Sequence, residues 1–172
     1  MLQRRRLWRY SYSSNQCELI SCIVGVDDAE CCTDQDCQSS SCTCEETKCV
    51  NKGNPHFTLS WFGNDDLDLH VITPRGFEIF FESPNDSVSR GELDHDDIPS
   101  EDAPGMQARW VENVYFPWDG KAPSGTYTYF VNQFDHIGAA DDWTLMLYEG
   151  DMRVAIVTGG GLSTDQNSTP ST

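Results

Sequence analysis

The chain has 172 residues with 38% hydrophobic content, enough for one domain of ordinary size and a small additional module. Its 28 acidic residues outnumber 11 basic ones, four of which are arginines in the first nine positions, and the formal net charge is −17. A field of this sign attracts cations and argues against nucleic-acid binding, and no stretch approaches the roughly 20 apolar residues of a transmembrane segment.

The first 16 residues are polar, basic and aromatic without a clear period, and they are predicted to form an extended N-terminal arm. A disordered terminus is the alternative. A basic, aromatic arm suits docking on the acidic face of a neighbouring copy, which predicts self-assembly through this segment. The segment has the basic region of a signal peptide but lacks its apolar region.

All eight cysteines lie in residues 17–50, a segment with too few large apolar residues for a sizeable core. Such clustering indicates disulfides or a thiolate metal cluster, and the absence of any CxxC pair favours disulfides over zinc. Disulfides predict an oxidising, extracellular or cell-surface location. The spacing weakly resembles knottin-like or granulin-like modules, and the pairing stays open. The predicted disulfide cysteines are Cys17, Cys22, Cys31, Cys32, Cys37, Cys42, Cys44 and Cys49.

β signals dominate residues 54–160, which follow a short linker and precede a polar tail at 161–172. HFTLSW (56–61) predicts one strand, and DLDLHVIT (66–73) alternates apolar and polar residues as a strand with one buried face does. Pro74-Arg75-Gly76 predicts a turn into a third strand, FEIFFE.

Further strand signals follow an acidic stretch at 83–109 that has no period and is predicted to be a long loop. GTYTYFVNQF (125–134) predicts an aromatic strand, and WTLMLYE and MRVAIVT flank Gly150-Asp151, a strong hairpin signal. No segment has a convincing helical period. About seven strands in about 105 residues predict an all-β antiparallel β-sandwich, preceded by the small disulfide-rich module.

Two acidic clusters in the sandwich suggest a metal site. Asp66 and Asp68 lie at a strand start and project to the same side, and Asp94 and Asp96 do so if their segment is extended. Four converging carboxylates repel one another unless a cation lies among them, and calcium takes 6–8 oxygen ligands. The second cluster is not an EF-hand loop, because the glycine and the closing glutamate are missing.

The order of motifs in the sandwich resembles the bacterial YfaP-like family (DUF2135). The matching motifs are a DLDLHV strand, a Pro-x-Gly turn, a Gly-x-Leu-Asp-x-Asp segment, a Glu-Asn-Val strand and a Pro-x-Gly-x-Tyr strand, within about residues 57–158. This family is similar to the pre-peptidase C-terminal modules of secreted proteins. The resemblance implies a jelly-roll-like sandwich with a binding or structural role, and it does not extend to the cysteine module.

Glu112 becomes a fifth candidate ligand, because it directly follows the acidic loop and begins the Glu-Asn-Val strand. The predicted calcium ligands are therefore Asp66, Asp68, Asp94, Asp96 and Glu112. Plain solvation of acidic side chains is the main alternative to calcium, and another metal is a less favoured one.

Trp118 lies in a predicted turn and is the best candidate for contact with a glycan, although core packing is the more frequent role of a tryptophan. Asn85 and Asn167 each begin a glycosylation sequon. Asp94 with Glu112 is the only carboxylate pair worth testing as a glycosidase pair, and no nucleophile motif accompanies it.

The sequence therefore predicts a non-enzymatic, extracellular calcium-binding module with a structural or adhesive role, as a subunit of a surface coat or filament. A carbohydrate- or protein-binding accessory module of a secreted protein is the alternative.

Overall fold

The computed structural model describes residues 6–11, 16–21, 31, 34–37, 41–45, 48–99, 109–135, 142–160, 162 and 166–168. It divides the chain into two compact units, Met1–Asn51 and Lys52–Thr172, so the boundary falls in the predicted linker. The fold is all-β, as predicted, and the described residues contain no α-helix and no helix that could span a membrane.

The first unit contains two antiparallel hairpins. β1 (Arg6–Ser11) pairs with β2 (Gln16–Ser21), and β3 (Cys42–Glu45) pairs with β4 (Lys48–Asn51). A 3₁₀ turn spans Asp34–Asp36. β1 lies within the predicted arm and is hydrogen-bonded to a strand of the cysteine module, so this part of the arm is not an isolated extended segment.

Two disulfides, Cys31–Cys44 and Cys37–Cys49, join the β3–β4 hairpin to the preceding turn and confirm the disulfide-rich module. Among the described residues Cys42 has no disulfide partner and its thiol is free, so the disulfide predicted for it is not found there. Cys42 lies opposite Asn51 in the hairpin, and its Sγ is 3.6 Å from the Asn51 Oδ1 atom rather than beside a sulfur. The side chains of Cys17, Cys22 and Cys32 lie outside the described residues.

The second unit consists mainly of two antiparallel sheets. One sheet has five strands in the order β12-β11-β5-β9-β8, and the other has four in the order β13-β10-β6-β7. The five-stranded sheet comprises β5 (His56–Phe62), β8 (Glu92–Asp96), β9 (Arg109–Tyr115), β11 (Trp143–Glu149) and β12 (Met152–Gly159). The four-stranded sheet comprises β6 (Asp66–Ile72), β7 (Glu78–Ile79), β10 (Thr128–Asp135) and β13 (Gln166–Asn167).

One hydrophobic core takes side chains from both sheets. The alternation predicted for β6 is confirmed, because Leu67, Leu69 and Val71 are buried in this core. Phe57, Leu59 and Trp61 of β5 enter the same core from the five-stranded sheet. Since side chains alternate along a strand, Glu112 and Val114 of β9, which lie opposite Leu59 and Phe57, also point toward the interior.

The predicted strands are largely confirmed, and the β11–β12 hairpin turns at Gly150, whose φ of 63° suits glycine. The strand predicted at 77–82 is much shorter, because β7 ends at Ile79 and Phe80 bridges back to Ser83. The predicted loop at 83–109 contains β8, and its residues 100–108 lie outside the described part.

Candidate metal centre

The short β7 leaves one side of β6 open. β7 pairs only with Val71 and Ile72, so within the described residues the start of β6 has a strand neighbour on its β10 side alone. On the open side, the backbone N–H of Leu69 donates to Glu112 Oε2 at 2.6 Å. Glu112 belongs to the five-stranded sheet and is only 1% exposed, so its carboxyl group crosses between the sheets.

Two tryptophans hold the loop that leads into β6. The indole N–H of Trp61 donates to the backbone oxygen of Asp65, and that of Trp110 donates to the backbone oxygen of Gly63, each at 2.7 Å. These hydrogen bonds fix the position at which the strand begins. The first acidic side chain of β6, that of Asp66, therefore has a defined place at this edge.

Three carboxyl groups converge at the open edge. Asp68, Asp96 and Glu112 each have an oxygen atom within 4.8 Å of an oxygen of the other two. Asp96 lies opposite Glu112 in the β8–β9 pair, and Asp68 comes from β6 of the other sheet. Asp68 and Glu112 are buried whereas Asp96 is exposed, so the group opens to solvent on one side.

Two buried oxygens of this group accept no hydrogen bond within the described residues, although a hydrogen bond between the Glu112 and Asp96 carboxyl groups contributes to the raised pKa of Glu112. Asp68 Oδ2 and Glu112 Oε1 are inaccessible to solvent and have no partner in the described structure. Asp68 is 5% exposed and Glu112 is 1% exposed. Buried carboxylate oxygens are costly unless a hydrogen bond or a cation satisfies them, so these two atoms point to a ligand.

Burial and mutual repulsion make the charged form of these carboxyl groups unfavourable, so the group favours binding a proton or a cation. Burial, together with the charges of Asp66 and Asp96, raises the pKa of Asp68 to about 7. Burial and the charge of Asp68 raise the pKa of Glu112 well above its usual value. Burial and the charges of Asp96 and Asp135 raise the pKa of Asp66 to about 6, which places Asp66 at the margin of the same group.

Asp135 is an acidic neighbour that sequence reasoning missed. It ends β10 and lies opposite Asp66, after a register shift at Phe134. Its proximity to Asp66 depends on the pairing of β6 with β10, which are about 60 residues apart in the sequence. Had this pairing been recognised, the aspartates at the same end of both strands would have indicated that Asp135 and Asp66 are neighbours.

The prediction that Asp94 joins Asp96 is wrong in this structure, and a β-bulge is the reason. Leu93 lies opposite Val114 and His95 lies opposite Asn113, so Asp94 is the extra residue. The bulge moves Asp96 to the interior side, opposite Glu112. Asp94 Oδ1 instead accepts a hydrogen bond of 2.6 Å from Asn113 Nδ2, on the other face of β9.

Neither neighbouring histidine contributes a nitrogen ligand. His70 Nδ1 lies 2.8 Å from Glu78 Oε1, and its ring stacks between Phe80 and Phe130. His95 Nε2 lies 3.2 Å from Asp97 Oδ1. Among the described histidine, cysteine, aspartate and glutamate side chains, this group consists of carboxyl groups only.

Carboxyl oxygens are the type of ligand that calcium binds. Calcium binds oxygen at about 2.3–2.6 Å, so oxygens within 4.8 Å of one another can share one such ion. Zinc and copper prefer nitrogen or sulfur ligands, and magnesium retains most of its waters. Asp68, Asp96 and Glu112 would hold the ion, with Asp66 as the next acidic group.

The other predicted contact residues are not among the three converging carboxyl groups. Trp118 is 54% exposed, and its ring packs against Gly150 of the β11–β12 turn. Asn85 is exposed next to Asp86, whereas the side chain of Asn167 in β13 is outside the described part. Trp61 and Trp143 are buried in the core.

Comparisons of this chain with protein-family models, with curated proteins and with solved structures find no match. The resemblance to the YfaP-like family and the jelly-roll connectivity therefore stay predictions.

Proposed function

We propose that the sandwich is a calcium-binding module with a structural or adhesive role in an extracellular protein. The observation that carries this proposal is the pair of buried oxygens without donors, Asp68 Oδ2 and Glu112 Oε1, beside Asp96. A calcium ion between them supplies the positive charge that compensates these two buried carboxylates.

A structural role follows from where the ligands originate. Asp66 and Asp68 belong to the four-stranded sheet, and Asp96 and Glu112 belong to the five-stranded sheet. An ion bound by Asp68 of the first pair and by both residues of the second pair joins the two sheets at the edge where β7 is too short to pair with the start of β6. Calcium then stabilises the sandwich because it binds the folded state only.

The disulfides of the first unit support an oxidising compartment, and we extend this to an extracellular or cell-surface location. Calcium outside cells is abundant enough for sites with dissociation constants of about 10⁻⁴ to 10⁻³ M. The site is half open to solvent, and we propose an affinity in this range.

We also propose that the module is not an enzyme and serves as a subunit of a surface coat or filament. The carboxylate pair considered for catalysis, Asp94 and Glu112, lies on opposite faces of its sheet, which supports a binding role. The acid-rich surface and the β1–β2 hairpin near the basic N-terminus are compatible with assembly.

Calorimetric titration with calcium tests the site directly. The wild-type chain is expected to bind calcium, and Asp68→Asn is expected to weaken binding by about tenfold or more, equivalent to about 1.4 kcal/mol. Asp94→Asn is the matched control, because it removes the same charge from the same region on the other face of β9. It is expected to leave the affinity within about twofold, a difference of a few tenths of a kcal/mol.

Absence of calcium binding by the wild-type chain would remove the proposal. If Asp68→Asn and Asp94→Asn lose calcium affinity equally, the overall negative charge of the chain, rather than this group, attracts the ion.

A carbohydrate-binding role is the second candidate, and the exposure of Trp118 favours it. The ring packs on Gly150, and the next residue, Asp119, pairs with Arg90 Nη1 at 3.1 Å and with Lys121 Nζ at 3.7 Å. A supported, exposed indole beside charged groups is a suitable platform for a sugar ring.

Retention on a glycan array tests this second role. Trp118→Ala is expected to reduce retention by about tenfold, about 1.4 kcal/mol, because the stacking surface is lost. Phe134→Ala is the control, since Phe134 is a similarly exposed aromatic at 51%. If the intact chain retains no glycan, the carbohydrate role is rejected while the calcium proposal is unaffected.

A further inference from the structure

The four terminal strands of the two described sheets differ in their capacity to pair with another chain. β7 and β13 have two residues each, which is too short for a strand interface. β8 carries Glu92, Asp94 and Asp96, so a second copy of this acidic chain would be repelled there. β12 has eight residues, MRVAIVTG, with one arginine and no acidic residue.

β12 also exposes large apolar side chains. Met152 is 62% exposed, Val154 is 47% exposed and Ile156 is 52% exposed. Within the described residues, β12 pairs with β11 only, so the outer row of its backbone N–H and C=O groups has no strand partner. Proteins usually protect such an edge with charge, proline or a bulge. Here the charge of Arg153 and the register shift at Val154 are such features, and they leave Ala155–Gly159 regular and uncharged.

We propose that β12 pairs antiparallel with β12 of a second copy and joins the two five-stranded sheets into one continuous sheet of ten strands. An antiparallel pair of identical strands has a two-fold axis, and two-fold dimers are the commonest oligomers.

Charge favours a second copy of this chain as the partner. Because each copy has a net charge of −17, two copies approach best through a surface without acidic residues. Among the described terminal strands of the two sheets, β12 alone is both long and free of acidic residues.

Side-chain chemistry is compatible with this symmetry. With the axis at Ile156, Val154 lies opposite Thr158 of the second copy and Ala155 lies opposite Val157 of the second copy. The two Arg153 side chains are then six residues apart along the strands, about 20 Å, so they do not repel strongly. A contact limited to one strand edge is small, and it implies a dissociation constant in the roughly micromolar range.

Sedimentation of the full chain at increasing concentration tests this dimer. The mass is expected to rise from 19.3 kDa toward twice that value. Ile156→Lys is expected to keep the chain monomeric, because two lysines would then face each other across the axis. Val88→Lys is the matched control, since Val88 is 59% exposed in a turn of another region, and it is expected to dimerise like the wild type. If Ile156→Lys fails to fold, Val154→Lys places the same charge on the same strand.

The dimer is expected to persist in chelator, because β12 contributes no ligand to the metal centre. This separates its failure from that of the calcium proposal. A wild-type chain that stays monomeric overturns the inference, as does a variant with lysine on β12 that still dimerises. Association that requires calcium, or that Val88→Lys abolishes equally, would also overturn it.

Discussion

Chelation is expected to lower the melting temperature of the wild-type chain by roughly 10 °C. A ligand that binds only the folded state stabilises it by about 2.7 kcal/mol when its free concentration is about 100 times the dissociation constant. In the proposed site the ion joins Asp68 of one sheet to Asp96 and Glu112 of the other, so its removal would restore the repulsion among three carboxylates. Differential scanning calorimetry with excess calcium and with excess chelator measures the difference.

Glu112→Gln tests whether the proposed site is the origin of this difference. The amide can still accept the hydrogen bond from Leu69 N, but it removes one negative charge from the group. Its melting temperature is expected to depend much less on calcium than that of the wild type. Addition of magnesium in place of calcium is expected to restore little of the lost stability. Wild-type melting curves that coincide with and without chelator would contradict the structural role of the ion.

Without calcium, the free energy of unfolding is expected to fall as the pH rises from about 4 to about 7. Burial and neighbouring charges raise the pKa of Asp66 to about 6 and that of Asp68 to about 7, from a value of 3.8. The folded chain therefore retains protons that the unfolded chain has released. This stabilising contribution is complete below the unfolded pKa and is lost as the pH rises through the folded values.

Urea unfolding at successive pH values in chelator measures this slope. Asp68→Asn is expected to flatten it, and saturating calcium is expected to remove it because the ion replaces the protons. His56 acts in the opposite direction, since burial lowers its pKa and its contribution is lost as the pH falls below about 6.5. The contribution of His56 is the same in the wild type and in Asp68→Asn, so it cancels when their pH slopes are compared. Identical slopes for the two chains would contradict the burial of Asp68 beside other acids.

The sequence predicted the all-β class and most strands because their signals are local. The alternation of Leu67, Leu69 and Val71 and the Gly150 hairpin each depend on a few neighbouring residues. The short β7 was not predictable in this way. β7 ends at Ile79 because the chain turns locally and Phe80 bridges to Ser83, and the aromatic run gives no sign of this turn.

Only part of the candidate site could be predicted, because some of its features are local in the sequence and others are not. Asp68, Asp96 and Glu112 were identified from acidic clusters and the order of motifs, and the structure brings them together. Asp94 was assigned wrongly, because one inserted residue in β8 reverses the faces that follow it, and the sequence does not mark the bulge. Asp135 was missed because its proximity to Asp66 depends on pairing between distant strands.

The open side of β6 has a further consequence. Unpaired strand edges are where chains recruit one another into aggregates, and inward-pointing charges are a common protection. Asp66 and Asp68 occupy this strand, and Glu112 already accepts the hydrogen bond of Leu69 N. The carboxylates proposed to bind a cation thus also shield this edge from a foreign strand, and that protection operates even in the absence of metal.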